Sequence, residues 1–342
     1  MADACEALVV GAGPNGLAAA ITLARAGIAT RVLEAEDAPG GGARTQALTL
    51  PGFRHDPCST VHPLAVASPF FATLGLERHG LAWVHPDAPL AHVLDDGRAV
   101  VLERSLEATA RGLGRDGDAW RRLLAPFVER YAELCGAILG PLRIPRAPGL
   151  LARFGLVALR SLEGLVRARF REPAAGALLA GIAAHAMRPL DAPASASFGL
   201  VLAAAGHAVG WPLARGGSQA ISDALVACLR EAGGELETGR RVARFEDLPP
   251  ARAVLFDVTP RQLLAIAGPR LPARYRRALA RYRYGPGVFK MDWALDGPIP
   301  WRDPACARAA TVHLGGDAGT VAAAEAAPAQ GRIAAEPFVL LV

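Results

Sequence analysis

The chain has 342 residues, more than a single core usually holds, so two domains are expected. At 52% hydrophobic and 20% charged it is globular, not disordered. The net charge of +5 comes from basic residues spread along the chain with no recognition helix, zinc spacing or basic-aromatic motif, so nucleic acid is not an expected partner.

The charge instead reads as solubility plus an anionic ligand. Cys5, Cys58, Cys135, Cys228 and Cys306 are widely spaced and include no CxxC pair, as expected of reduced thiols in a cytoplasmic protein. An apolar strand is under way by Leu8, which leaves no room for a signal peptide, and no apolar run reaches the length of a membrane span.

Leu8-Val9-Val10 predicts a short buried strand that runs into Gly11-Ala12-Gly13-Pro14-Asn15-Gly16. A GxGxxG turn between a strand and a helix predicted over 17–26 is a dinucleotide-binding βαβ opening. Gly11 permits the tight bend, Gly13 lets the backbone approach a pyrophosphate, and Gly16 lets helix and strand pack closely. Pro14 and Asn15 open that helix, whose unpaired N–H groups and positive dipole end favour an anion without any charged side chain. Arg31-Val32-Leu33 predicts a second strand. At its end Glu34, followed by Ala35, is placed to accept hydrogen bonds from adenosine ribose hydroxyls, and an acid there argues against a 2′-phosphate.

Gly40-Gly41-Gly42-Ala43-Arg44-Thr45 comes next. Gly41 and Gly42 allow close backbone approach, and Arg44 offers a fixed fork of donors suited to phosphate oxygens. This GG-x-x-R-T element resembles that of the glutathione-reductase-type FAD-binding proteins, in which the stretch wraps the FAD diphosphate and ribityl chain. The resemblance implies FAD as the cofactor, with Gly41, Gly42, Arg44 and Thr45 around it. Ten residues further, His55-Asp56-Pro57-Cys58-Ser59-Thr60-Val61-His62 holds histidines without metal-ligand spacing. His62 is suited to acid or base work and equally to a structural role.

Short apolar runs and turn residues over 80–102 predict a small antiparallel sheet. From Leu106 to about Gly210 the pattern is helical, divided by Pro141, Pro145, Pro148, Pro173, Pro189 and Pro193. Within it, Leu150 to Arg171 reads as one helix with Arg153, Arg160 and Arg167 at seven-residue intervals. A basic amphipathic helix of that kind either lies on an anionic membrane surface or packs its apolar stripe on the domain. After Trp211-Pro212, Arg215-Gly216-Gly217-Ser218 opens a helix through Leu229, and strands follow at 241–245 and 253–257. This return to α/β alternation predicts a nucleotide domain built from separated pieces, 1–66 and 212–284, with a substrate domain at 67–211 and 285–342.

The order GAGPNG, Glu34, GGxxRT, a long insertion, then Gly216-Gly217-Ser218 and the stretch from Gly233 to Val242 resembles the phytoene dehydrogenase-like FAD oxidoreductases of the amine oxidase superfamily. The branch it most resembles contains pyridine nucleotide-disulfide oxidoreductase domain-containing proteins. The implied architecture is α/β: a glutathione-reductase-type FAD-binding Rossmann-like domain with an interleaved α+β substrate domain. The resemblance implies that Val242 sits beside the adenine through its backbone. It also implies that the His55–His62 segment reaches the flavin or the cavity mouth, although Cys58 replaces a glycine of the family's D-x-G pattern. Lys290 is the only lysine. Its setting on an expected strand is similar to the amine oxidase segment whose lysine holds a water against the flavin, and a sheet-edge lysine is the alternative.

The implied reaction is FAD-dependent dehydrogenation of a small apolar substrate, or its reverse, with an unidentified electron acceptor. A flavin amine oxidase and a non-catalytic nucleotide-binding protein are the alternatives. Pro337 to Val342 reads as a strand entering a core, and the resembled family continues beyond it, so a fragment or a truncated relative is expected.

Overall fold

The computed structural model describes residues 5–140 and 143–342; Pro141 lies outside them. The chain enters through β1 (Cys5–Val10), turns at the glycines, and forms α1 (Pro14–Arg25) before β2 (Thr30–Leu33). A single turn, α2 (Pro63–Val66), precedes β3 (Trp83–Val84) and the hairpin β4 (Ala88–Val93) and β5 (Ala99–Leu102). The helical stretch contains α3 (Leu106–Gly112), α4 (Gly117–Val128), α5 (Tyr131–Ile138) and α6 (Pro148–Ala158). It continues through α7 (Leu162–Arg169), α8 (Pro173–Ala184) and α9 (Ala196–Ala208). Next come β6 (Leu213–Ala214), α10 (Gln219–Glu231), β7 (Glu235–Glu237) and β8 (Ala251–Phe256). The chain closes with α11 (Pro260–Ala267), α12 (Ala273–Ala280), β9 (Ala309–Leu314), α13 (Ala318–Ala329) and β10 (Val339–Leu341). Among the described residues no helix is long and apolar enough to cross a membrane.

One sheet is parallel throughout, in the order β7-β2-β1-β8, with Val10 opposite Leu33 on one side and Phe256 on the other. A parallel sheet must be covered on both faces. Alternation along β1 achieves this: Val9 packs with Leu17 and Ile21 of α1 and Leu225 of α10, while Leu8 and Val10 pack with Ile266 of α11. Strand order reverses at β1, so the crevice beyond its carboxyl end is the topological switch point where ligands of such sheets bind.

The second sheet is mixed, in the order β10-β9-β4-β5, with β9 parallel to β4 and the outer pairs antiparallel. Leu90 and Leu102 face the helical layer, in which α8 is buried along almost its whole length. Such a helix, apolar all round, belongs in a core.

Local differences from the sequence reading each have a physical cause. In the 80–102 region only β4–β5 is antiparallel within the segment, because β4 takes β9 in parallel on its other edge and β3 pairs with distant β6. The expected helix over 150–171 is broken: Ser161 accepts the Gly164 N–H and starts α7 afresh. Residues 241–245 are not a strand, since the Asp247 carboxylate accepts the N–H groups of Ala243 and Arg244 at 2.9 Å and folds the segment into a turn. The stretch around Lys290 is extended but pairs with no strand among the described residues. Gly285-Pro286-Gly287 and Gly297-Pro298 bracket it, and proline cannot donate to a ladder. The cations are also less evenly spread than expected: no acid occurs from Val258 to Met291, and α12 exposes Arg274, Arg276 and Arg277.

Candidate dinucleotide site

The glycine turn is dictated by close packing. Gly11 has a φ of +104°, and a Cβ there would lie 2.4 Å from the Asp257 carbonyl oxygen. On Gly16 a Cβ would lie 2.1 Å from the Gly11 oxygen. Gly13 caps α1 without a side-chain bond, Pro14 fills the first position, and Asn15 is exposed beside it. The helix end therefore presents backbone to the crevice, the arrangement that suits an anion. Asp257, just past β8, accepts the Gly16 N–H at 2.7 Å through Oδ2. Sequence reasoning did not single it out, although a strand ending in an acid is the same signal that marks Glu34.

Glu34 ties the turn to the end of β2: its carboxylate accepts the Ala12 N–H at 2.8 Å and the Glu36 N–H at 3.0 Å. Ala35, half-buried, lies between these anchors. Both oxygens keep a further lone pair, so ribose hydroxyls can still donate to them. The second glycine loop packs directly on the first. Gly40 N–H donates to the Ala12 carbonyl at 2.9 Å, and a Cβ on Gly41 would lie 3.1 Å from Gly13 Cα. The Gly42 carbonyl accepts the Ser59 hydroxyl at 2.8 Å, and a Cβ on Gly42 would meet Cys58 Sγ at 3.2 Å.

Arg44 Nε is buried and has no acceptor among the described residues. A buried unpaired donor is costly, and a guanidinium more so than a neutral group. A phosphate oxygen is the partner its fork geometry suits, so the residues present fit a dinucleotide diphosphate. Val242 is buried against the β1–β2 layer with Leu8 and Leu33, and its backbone takes no partner among the described residues.

Thr45 and His62 belong to a latch that holds the second loop to the start of α10. The Thr45 hydroxyl donates to Asp56 Oδ1 at 2.5 Å and accepts the Gln219 N–H at 3.0 Å. Asp56 Oδ1 also accepts the Ser218 N–H at 2.9 Å, and the Ser218 hydroxyl donates to the Ser59 carbonyl at 2.5 Å. With that proton committed, the 2.7 Å contact between Ser218 Oγ and His62 requires Nε2 to be the donor. Burial pushes the His62 pKa down despite nearby Asp56, which keeps the ring neutral with only Nδ1 uncommitted. Lys290 lies at the edge of the same loop. Its ammonium pairs with Asp292, whose carboxylate is 3.7 Å from His55 Nδ1, and His55 bridges back to Gln46.

Residues 9–72 match the family model of the NAD(P)-binding Rossmann-like domain. The chain carries an NAD(P)-binding Rossmann-like domain. As the motif order implies, its homologues are oxidoreductases. Hydroxyneurosporene desaturase of Cereibacter sphaeroides is 32% identical over 261 residues, covering 70% of this chain and 50% of that protein. A limonene dehydrogenase from Castellaniella defragrans is 32% identical over 133 residues, 38% of this chain and 24% of that one. Pyridine nucleotide-disulfide oxidoreductase domain-containing protein 2 of Mus musculus is 35% identical over 131 residues, 37% of this chain and 21% of that protein. The Rossmann-like chain thus spans half or less of these relatives' length. Among solved structures, an oxidoreductase from Methanosarcina mazei superposes with a TM-score of 0.55 at 16% identity, covering 81% of this chain and 64% of that one. Putrescine oxidase superposes with a TM-score of 0.52 at 18% identity, covering 81% and 63%. These two share the fold.

Proposed function

We propose that this chain forms the cofactor-binding part of an FAD-dependent oxidoreductase that removes hydride from, or returns it to, a carbon of a small apolar substrate. The buried, unpartnered Nε of Arg44 beside two abutting glycine loops carries this reading. A nicotinamide dinucleotide needs only the GxGxxG turn, whereas the second loop extends the anion cradle and supports FAD. Relatives named for limonene and hydroxyneurosporene, both apolar compounds, support the substrate class.

When bound, the flavin supplies the hydride acceptor. The chain's own residues do the holding. The turn from Gly11 to Gly16 and the α1 N-terminus receive the diphosphate, Arg44 balances its charge, Glu34 orients the ribose, and Val242 flanks the adenine. The His62–Ser218–Asp56–Thr45 latch fixes the second loop, which makes His62 and Thr45 positioning residues. The Lys290–Asp292 pair acts as a tie at the loop's edge.

The test is an absorbance spectrum of the purified chain before and after denaturation, with the released nucleotide identified by chromatography. Stoichiometric FAD is expected. Arg44→Met is expected to weaken FAD binding by about tenfold or more, the worth of a charge-assisted hydrogen bond. Release of NAD in place of FAD would overturn the cofactor assignment, and an unchanged affinity in Arg44→Met would overturn the role of the second loop.

A further inference from the structure

A cavity of about 550 Å³ opens between α4 and α6, away from the glycine loops. Its floor is apolar: Phe127 is 1% exposed and Leu123 5%. Pro126 and Val157 form its walls, and Leu156, 79% exposed, stands at its mouth. Arg121, Arg122, Arg153 and Arg169 line it, and no acid does. Arg121 is neutralised by Glu107 and Asp118. The other arginines take no carboxylate among the described residues, and each is exposed.

Unneutralised guanidinium groups over an apolar hollow select a ligand with an anionic head and an apolar tail. The shape narrows the choice further. A bilayer surface is met by a convex patch, whereas a concave site of this size lies within the range, roughly 300–1,000 Å³, that takes one small molecule. Arginine's planar fork matches a carboxylate in a bidentate manner. We propose that this cavity binds a single long-chain carboxylate, its tail against Phe127 and Leu123 and its head on Arg122, Arg153 and Arg169. The site is independent of the dinucleotide reading.

The experiment is a calorimetric titration of the full chain with decanoate below its micelle threshold, run beside decan-1-ol. Saturable decanoate binding is expected, about tenfold or more tighter than the alcohol, whose hydroxyl lacks the charge. Leu156→Glu places a carboxylate at the mouth on a side chain already in solvent, so it leaves folding intact and is expected to weaken decanoate binding by a similar factor. The double substitution Arg122→Gln with Arg153→Gln is expected to do the same and to leave decan-1-ol binding unaltered. Equal affinity for acid and alcohol, or indifference of decanoate binding to these substitutions, overturns the proposal. Co-sedimentation with phosphatidylcholine–phosphatidylglycerol vesicles without decanoate binding overturns it in favour of a bilayer.

Discussion

His92, His185, His207 and His313 are buried in the layer between the mixed sheet and its helices, and their charge state is set by that burial. His185 Nε2 lies 3.0 Å from His313 Nε2, and His92 Nε2 bonds the Gly316 carbonyl at 2.8 Å. Trp120 donates to His207 at 3.1 Å. Desolvation pushes His185 and His207 down to about 4 and also lowers His92 and His313. Each ring is neutral when folded and takes up a proton below about pH 6.5 when unfolded. Stability is therefore complete above that pH and is lost as the pH falls towards 4, by about 1.4 kcal/mol per pH unit for each ring. Glu325 works in the opposite sense. Burial raises its carboxyl to about 7, so its share is present at low pH and is lost as the pH rises from about 4.5 to 7. Urea midpoints measured across pH are expected to fall below about pH 6.5. Glu325→Gln is expected to raise the midpoint at pH 8 and leave it unchanged at pH 5; an equal shift at both would refute the assignment. The residues of the glycine loops were legible in the sequence because their constraints are local. Asp257 and Ser218 were not, because their partners Gly16 and His62 are 241 and 156 residues away.

At the scale of elements, the break between α6 and α7 shows how an apolar period can conceal a boundary. Leu159 and Leu162 continue the helical spacing, yet Ser161 is extended, with φ of −67° and ψ of 145°, and caps α7. Ser195 adds a second tie, accepting the Leu162 N–H at 2.9 Å and donating to the Leu190 carbonyl at 2.8 Å. A serine followed by an acid in the next turn was the available signal, carried here by Glu163. Ser161→Ala is expected to cost about 1 kcal/mol, the usual value of a lost N-cap, and to lower the calorimetric Tm by roughly 2–4 °C. Residues 289–295 show the converse. Phe289, Met291, Trp293 and Leu295 alternate like a strand, but Phe289 is 90% exposed because period alone supplies no pairing partner.

Over the whole molecule, the parallel sheet is assembled from β1 and β2 near one end of the chain and β7 and β8 beyond the helical layer. The α/β class followed from the sequence because helix and strand periods differ, whereas the parallel β4–β9 pairing depends on contacts that no local pattern encodes. A ligand held by both ends of this assembly stabilises the native state by mass action, about 2.7 kcal/mol at a hundredfold excess over Kd. FAD is therefore expected to raise Tm by several degrees in a thermal melt while adenosine alone does little; equal shifts would place the recognition in the ribose pocket alone.

The Gly16–Asp257 hydrogen bond, closed across 241 residues, also has a consequence in time. Long-range pairings are the slow steps of folding, because chain closure must precede any reward from the contact. During synthesis β1 and β2 leave the ribosome early and wait with an open edge until β8 is released. The phosphate-binding turn reaches its final shape only then, so cofactor capture during translation would report that the sheet has been completed.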